Sequence, residues 1–201
     1  MSNKLVLTEF LKLTTNRELL TEKEQALMDE GDEVYLAGVM QRANALNGNG
    51  RVYPRDILER EIENYQKIVR EGRAVGELDH PESSVVELKN VSHLVTQIAM
   101  KGDDVIGKVR ILETGPGQTV KELLKGGVSL GISSRGLGST REEGGKTVVE
   151  DDFQLICFDL VSEPSTTGAY MLKEGKENPI FTKADRINRA LNSILKEGRN
   201  K

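Results

Sequence analysis

Cysteine and histidine are scarce in this chain, and each shortage closes off a chemistry. The one cysteine, Cys157, has no partner for an internal disulfide. It sits in the apolar run from Leu155 to Val161, where a thiol behaves as a small buried hydrophobe. A chain without a disulfide framework reads as a soluble protein made in a reducing cytoplasm. The two histidines, His80 and His93, form no spaced ligand set with that cysteine, and neither HExxH nor CxxC occurs. This argues against zinc-type metal chemistry, although counting leaves a carboxylate-only Mg²⁺ or Ca²⁺ site open. No metal and no cofactor are expected. Long apolar runs are missing too, so no segment reaches the roughly 18–20 residues a bilayer span needs. Neither sign of charge dominates: 28 Lys and Arg against 32 Asp and Glu give a net charge of −4. There is no basic footprint for nucleic acid, no polybasic membrane patch and no acidic tail. The opening stretch, MSNKLVLTEFLKLTTNRELL, has early acidic residues and no small-residue cleavage site, unlike a secretory signal. Repeats and low-complexity tracts are absent as well.

The 201 residues that remain suffice for one domain with a real core and an extra terminal segment. Residues 1–30 are rich in Leu, Glu and Lys and read as partly helical. Residues 33–43 alternate and favour a strand. The Asn- and Gly-rich stretch after them marks a loop. Pro54 then opens a helix whose inner face carries Leu58, Ile62, Tyr65 and Val69, ending near Gly72. Residues 73–79 return to an extended reading and deliver His80, which Pro81 biases away from the α region. Residues 85–100 and 104–112 read as two strands joined at Lys101–Asp104. Thr119 and Glu122 form a capping-box pattern, which predicts a short helix from Thr119 to Gly126. Residues 128–133 and 147–161 read as strands around the polar loop Ser139–Gly145. From Thr182 the positions Ile187, Leu191, Ile194 and Leu195 share one face of an amphipathic helix. Strands and helices do not alternate as βαβ units, so the expected class is α+β with a mostly antiparallel sheet or barrel.

A serine is a weak nucleophile near neutral pH. It needs a base within hydrogen-bond reach, a group that orients the base, and donors for the oxyanion. The segment Gly131–Gly138, GISSRGLG, is the most unusual in the chain, with Ser133 and Ser134 between glycines directly after an apolar strand. Glycines there allow close backbone approach and an N–H nest that suits an oxyanion, with Arg135 adding positive charge. An ordinary Gly/Ser turn is the bland alternative, and the pattern is not the GxSxG elbow. His80 is flanked by Glu77 and Asp79 and by itself reads as a locally bonded loop histidine. His93 lies among apolar residues and reads as a satisfied, half-buried strand histidine. Asp159 interrupts an apolar strand, so it faces outward or has a specific buried partner.

The segments GELDHP around His80 and GISSRGLGS around Ser133 resemble the two signatures of the prohead core proteases of T-even-like tailed phages. The resemblance extends to the Asn-rich loop leading into Arg51–Pro54, to KGDDVIGKVR, and to FDLVSEPS around Asp159. Order and spacing agree from about residue 33 to about residue 170, and the two signatures together are far more specific than either alone.

The resemblance implies a serine endopeptidase with His80 as general base and Ser133, not Ser134, as nucleophile. The third member falls on Asp159, with His93 as the competitor because the related herpesvirus proteases use a second histidine. Ser134, Arg135 and Gly136 fall beside the oxyanion. The implied fold is a mostly antiparallel β-barrel-like sheet surrounded by helices, as in herpesvirus maturation proteases. The implied organisation is an N-terminal segment 1–30, a protease domain 31–170 and a helical tail 171–201. The implied partners are scaffold and capsid proteins, cut inside the prohead in the host cytoplasm, and the chain itself, possible copies of it included. Family members cut after Glu in Leu/Ile-x-Glu contexts before a small residue. Leu172–Glu174 before Gly175 and Leu195–Glu197 before Gly198 match, and each reads equally as a helix end with a glycine stop. A catalytically silent assembly protein on the same fold, or another Ser–His hydrolase, are the rival readings.

Overall fold

The computed structural model describes residues 5–11 (by their backbone), 19–31, 33–81 and 83–162. The first elements are β1 (Leu5–Leu11) and α1 (Glu22–Asp29), so the segment 1–30 holds a strand as well as a helix. Thr21 caps α1 in a reciprocal box: its hydroxyl accepts from Glu24 N, and Glu24 accepts from Thr21 N at 2.8 Å. α1 is held to the body by Lys108 Nζ, which donates to Glu24 Oε2 at 2.6 Å. Leu20 packs with Tyr35 and Ala37 beside it.

The larger sheet has the order β2-β6-β5-β4, from β2 (Val34–Arg42), β4 (Val75–Glu77), β5 (Val91–Lys101) and β6 (Asp104–Ile111). β5 and β6 form the expected hairpin, turned at Gly102 with φ +62°. Residues 85–90, expected as strand, instead hold a 3₁₀ turn at Leu88–Asn90. α2 (Arg55–Arg70) lies against β5 and β10 (Gln154–Val161) and buries Leu58, Ile62 and Tyr65, the face its periodicity predicts. Glu61 on that face is also buried and accepts from Leu155 N at 2.9 Å, fixing helix to strand. α2 ends before Gly72, whose φ of +68° suits a residue without Cβ.

α3 (Gly115–Lys125) starts earlier than the pattern at Thr119 predicts. Thr114 is the actual cap and accepts from Gly117 N at 3.1 Å, with Pro116 in the first turn. Thr119 sits inside the helix and returns its hydroxyl to Gly115 O. The polar stretch expected as a loop is a hairpin, β8 (Thr140–Glu143) and β9 (Lys146–Val149), turned at Gly144 and Gly145. β9 pairs in parallel with β3 (Arg51–Val52).

The remaining sheet has the order β1-β7-β10, with β7 (Gly131–Gly138) in the middle and both pairings antiparallel. It meets the larger sheet where β4 approaches β10, through a single parallel bridge between Leu78 and Leu160. At the other side β1 and β2 touch without sharing a ladder. The chain is therefore α+β and mostly antiparallel, but among the described residues no continuous ladder closes a barrel. The physical reason is that the strands touch at both meeting points without their backbones pairing in register beyond the one bridge. Between the layers lies one core, anchored by edge-on pairs of Tyr53 with Phe153 at 5.3 Å and Tyr65 with Phe158 at 5.6 Å. No helix among the described residues is long and apolar enough to cross a membrane. The tail expected from Thr182 lies outside the described residues.

Phe153 fills the space that Gly136 and Gly138 leave open on β7. Phe153→Ala is expected to cost about 3–5 kcal/mol, read as a lowered urea midpoint with an unchanged slope.

Candidate active site

Ser133 and Asp159 are directly opposite each other on β7 and β10. Cross-strand partners in an antiparallel pair share a face, with Cβ atoms about 4.5–5.5 Å apart. The pairing alone thus sets a hydroxyl beside a carboxylate, and an imidazole can span the two. His80 arrives from the segment after β4. Leu78 bridges to Leu160, Asp79 N donates to Leu160 O at 2.8 Å, and Asp79 takes a left-handed φ of +67° that swings the chain over the sheet. His80 Nε2 then accepts from Ser133 Oγ at 2.7 Å, and His80 Nδ1–H donates to Asp159 Oδ2 at 3.0 Å. Ser133 and Asp159 are fully buried, whereas the His80 side chain is 17% exposed, so the imidazole is the member that reaches solvent.

Asp159 is bonded from every side. Glu77 N donates to Oδ1 at 3.0 Å, Arg135 Nε to Oδ2 at 2.9 Å, and the Cys157 thiol to Oδ1 at 3.3 Å. Burial alone would raise its carboxyl. The His80 hydrogen bond, the Arg135 charge and the Glu77 N–H outweigh that and hold it below the usual carboxylate range. Burial, and then the Asp159 charge, push the Cys157 thiol up, so it stays protonated and unreactive.

The Arg135 guanidinium is turned inward and is not free for an oxyanion. Arg135 lies two residues from Ser133 on the same face, fully buried, and its guanidinium is consumed by Asp159, by Glu77 Oε2 and by Ser83 O at 2.6 Å. The nest expected at Ser134–Gly136 is absent as well. These residues are extended, mid-strand and paired on both edges. Gly136 is there for packing: a Cβ would stand 2.4 Å from the Phe153 ring and 2.6 Å from Gln154 O. Ser134 points to the opposite face, where its buried hydroxyl has no partner among the described residues.

His93 is fully buried rather than half-buried, and it stands apart from the pair. Its Nε2–H donates to Phe158 O at 2.9 Å and its Nδ1 accepts from Ser92 Oγ at 2.9 Å. The structure thus brings together His80, Ser133 and Asp159, and leaves His93 as a tie between β5 and β10. Glu77 is the participant that sequence reasoning named only as a flanking carboxylate. It binds Arg135 and accepts from Glu87 N at 2.9 Å, which pins the far end of the His80 segment. The available signal was Arg135 itself: a guanidinium in an otherwise small and apolar strand needs buried counter-charges.

Three comparisons bear on this arrangement. The family model described as prohead core protein serine protease matches residues 14–178. A prohead core protein protease of Enterobacteria phage T4 is 32% identical over 173 residues, covering 82% of each chain. The structure of the bacteriophage T4 capsid assembly protease, gp21, superposes with a TM-score of 0.69 at 26% identity, over 81% of this chain and all of that one.

Burial lowers the His93 pKa from its ordinary 6.5 to about 4, more than the nearby Asp159 charge and the Phe158 carbonyl raise it. The unfolded chain binds the extra proton between those values, so this contribution is full above 6.5 and is lost as pH falls towards 4. Wild-type stability is expected to drop about 2–3 kcal/mol further than that of His93→Gln between pH 7 and pH 4.5. Urea titrations at both pH values measure the difference.

Proposed function

The chain belongs to the prohead core protein serine protease family, and from that premise we propose that it is a serine endopeptidase cutting scaffold and capsid proteins inside the phage prohead. That it is a capsid-maturation protease rests on the family and on the T4 relative. The assignment of roles rests on one observation, the unbroken run of hydrogen bonds from Ser133 Oγ through His80 to Asp159. In this reading His80 takes the hydroxyl proton as Ser133 attacks the peptide carbonyl. It then gives that proton to the leaving amine. Asp159 holds the tautomer with Nδ1–H and steadies the imidazolium, and its lowered pKa keeps it ionised throughout. Water attacks the acyl-enzyme with His80 again as base. Arg135 and Glu77 are positioning residues beneath the site: they fix Asp159 and the segment that carries His80.

Cleavage is proposed after Glu in Leu/Ile-x-Glu contexts, and the chain is proposed to trim itself after Glu174 and after Glu197, both outside the described residues.

Ser133→Ala should fold and leave co-assembled scaffold and capsid proteins uncut. Asp159→Asn should lower turnover on the order of 10⁴-fold, as expected when the tautomer support is lost. Processing at the wild-type rate by Ser133→Ala would remove Ser133 from the role. Mass spectrometry of chain recovered from matured heads should find termini at Glu174 or Glu197. Intact C-termini at both places would eliminate the trimming.

A further inference from the structure

The stretch 83–90 follows His80 closely and returns to the site. Leu78 N donates to Asn90 O at 3.1 Å, so the chain that leaves just past β4 comes back to it. Two bonds hang this stretch from the buried ion cluster. Arg135 Nη1 donates to Ser83 O at 2.6 Å, and Glu87 N donates to Glu77 Oε1 at 2.9 Å. Ser83 Oγ also accepts from Val85 N at 3.1 Å, and Asn90 N donates to Glu87 O at 2.8 Å. The result is a fixed frame, and it turns apolar side chains to water. Val85 is 66% exposed and Leu88 78%, the two most exposed of the four exposed large hydrophobics among the described residues. Apolar residues scattered singly over a surface need no explanation, but two on one anchored frame with a polar rim mark a contact surface. Lys89 lies beside them on the rim, paired with Glu87 Oε2 at 2.8 Å. Such an exposed pair is weak, so an incoming carboxylate can take the place of Glu87.

We propose that Val85 and Leu88 form the subsite that takes the apolar side chain of the peptide substrate, with Lys89 receiving the carboxylate of its glutamate. The proposal rests on Ser133 being the nucleophile and on cleavage after Glu, and it deepens that reading by naming the residues that read the sequence. Three observations place the substrate there. His80 is the member of the site that reaches solvent, and this frame starts from the same segment. Ser83 sits on Arg135, two residues along β7 from Ser133 on the same face. The surface also has the chemistry of the segment it would read, two apolar side chains next to an ammonium. In an extended peptide, alternate side chains point the same way about 6.5 Å apart. The apolar residue and the glutamate of a Leu/Ile-x-Glu segment therefore face one surface together, and this surface meets both. The ion cluster that orients Asp159 also holds the frame, so the distance between the bond cut and the residues read is fixed.

The test uses the full chain and compares selectivities within one preparation, so the active fraction cancels. Wild type should cleave a quenched Leu-Thr-Glu-Ala peptide about tenfold better in kcat/KM than the Ala-Thr-Glu-Ala peptide, and about tenfold better than the Leu-Thr-Gln-Ala peptide. Val85→Ser with Leu88→Ser should bring the Leu/Ala ratio to within about twofold of one and keep the Glu/Gln ratio. Lys89→Gln should do the reverse. All three side chains are exposed, so both variants should fold, which urea midpoints near that of wild type check. Anisotropy of the same three peptides, labelled, on a Ser133→Ala chain should show the same two preferences and the same losses. A folded variant that keeps the wild-type value of the ratio assigned to it overturns the proposal, as does a wild-type chain with no preference in cleavage or in binding. Fluorophosphonate labelling separates the two readings. Ser133 labelled and peptides cleaved, with ratios unchanged in the variants, sinks the subsite alone. Ser133 unlabelled and no peptide cleaved, with binding preferences that the variants lose, sinks the nucleophile and leaves the subsite standing.

Discussion

The Arg135 guanidinium lies with no solvent contact between two carboxylates, Glu77 from β4 and Asp159 from β10, and also reaches the carbonyl of Ser83. It thereby ties together three pieces of chain that backbone hydrogen bonding alone barely connects. β4 and β10 share one isolated bridge, and the segment carrying His80 has few ladder bonds of its own. Burying such ions is costly, and replacing a whole cluster with apolar residues is often neutral or stabilising. Removing one member is a different matter, because it strands the others without counter-charge at a cost of about 3–5 kcal/mol. The cluster thus acts on position more than on stability. It allows one register between the sheets, the register in which His80 lies over Ser133 and Asp159.

The same cluster sets the electrostatics of the proposed chemistry. A carboxylate shut away from water would ordinarily take up a proton and lose its ability to orient an imidazole. Four donors around Asp159, one of them charged, keep it ionised. The fifth group that might have served, His93, is held neutral by burial and spends both ring nitrogens on structural bonds. His80, the expected base, and His93, the competitor for the third place, are in this way separated by their surroundings.

Much of this was legible in the sequence. The amphipathic spacing from Leu58 to Tyr65 gave α2 its buried face, because periodicity reports burial directly. His80 and Ser133 were visible as a pair through two short signatures, though as isolated patterns both looked like loop residues. What escaped was whatever depended on non-local partners. Thr119 matched a capping box, yet Thr114 took the cap because Pro116 and Gly117 set the first turn earlier. The glycines of β7 suggested a nest, whereas the Phe153 ring across the sheet required their missing Cβ atoms. Arg135 suggested an oxyanion because its counter-ions come from far along the chain. The reciprocal box at Thr21 and Glu24 is a local pattern of the sequence, whereas the strand β1 has no local signal that sets it apart from its surroundings.

The three site residues come from β7, β10 and the segment after β4, and the last is the outlier. β7 and β10 are joined through the β8–β9 hairpin, so Ser133 and Asp159 meet without a distant stretch of chain having to close. His80 must close a span of 79 residues to reach Asp159, and closing long spans costs more chain entropy and comes later in folding. A ribosome making this chain therefore produces the serine and the imidazole before the carboxylate that orients them. The imidazole is seated only after β10 has been synthesised and the ion cluster has gathered around it. Synthesis of β10 is in this sense a safeguard, since no chain that stops short of it holds the assembled site.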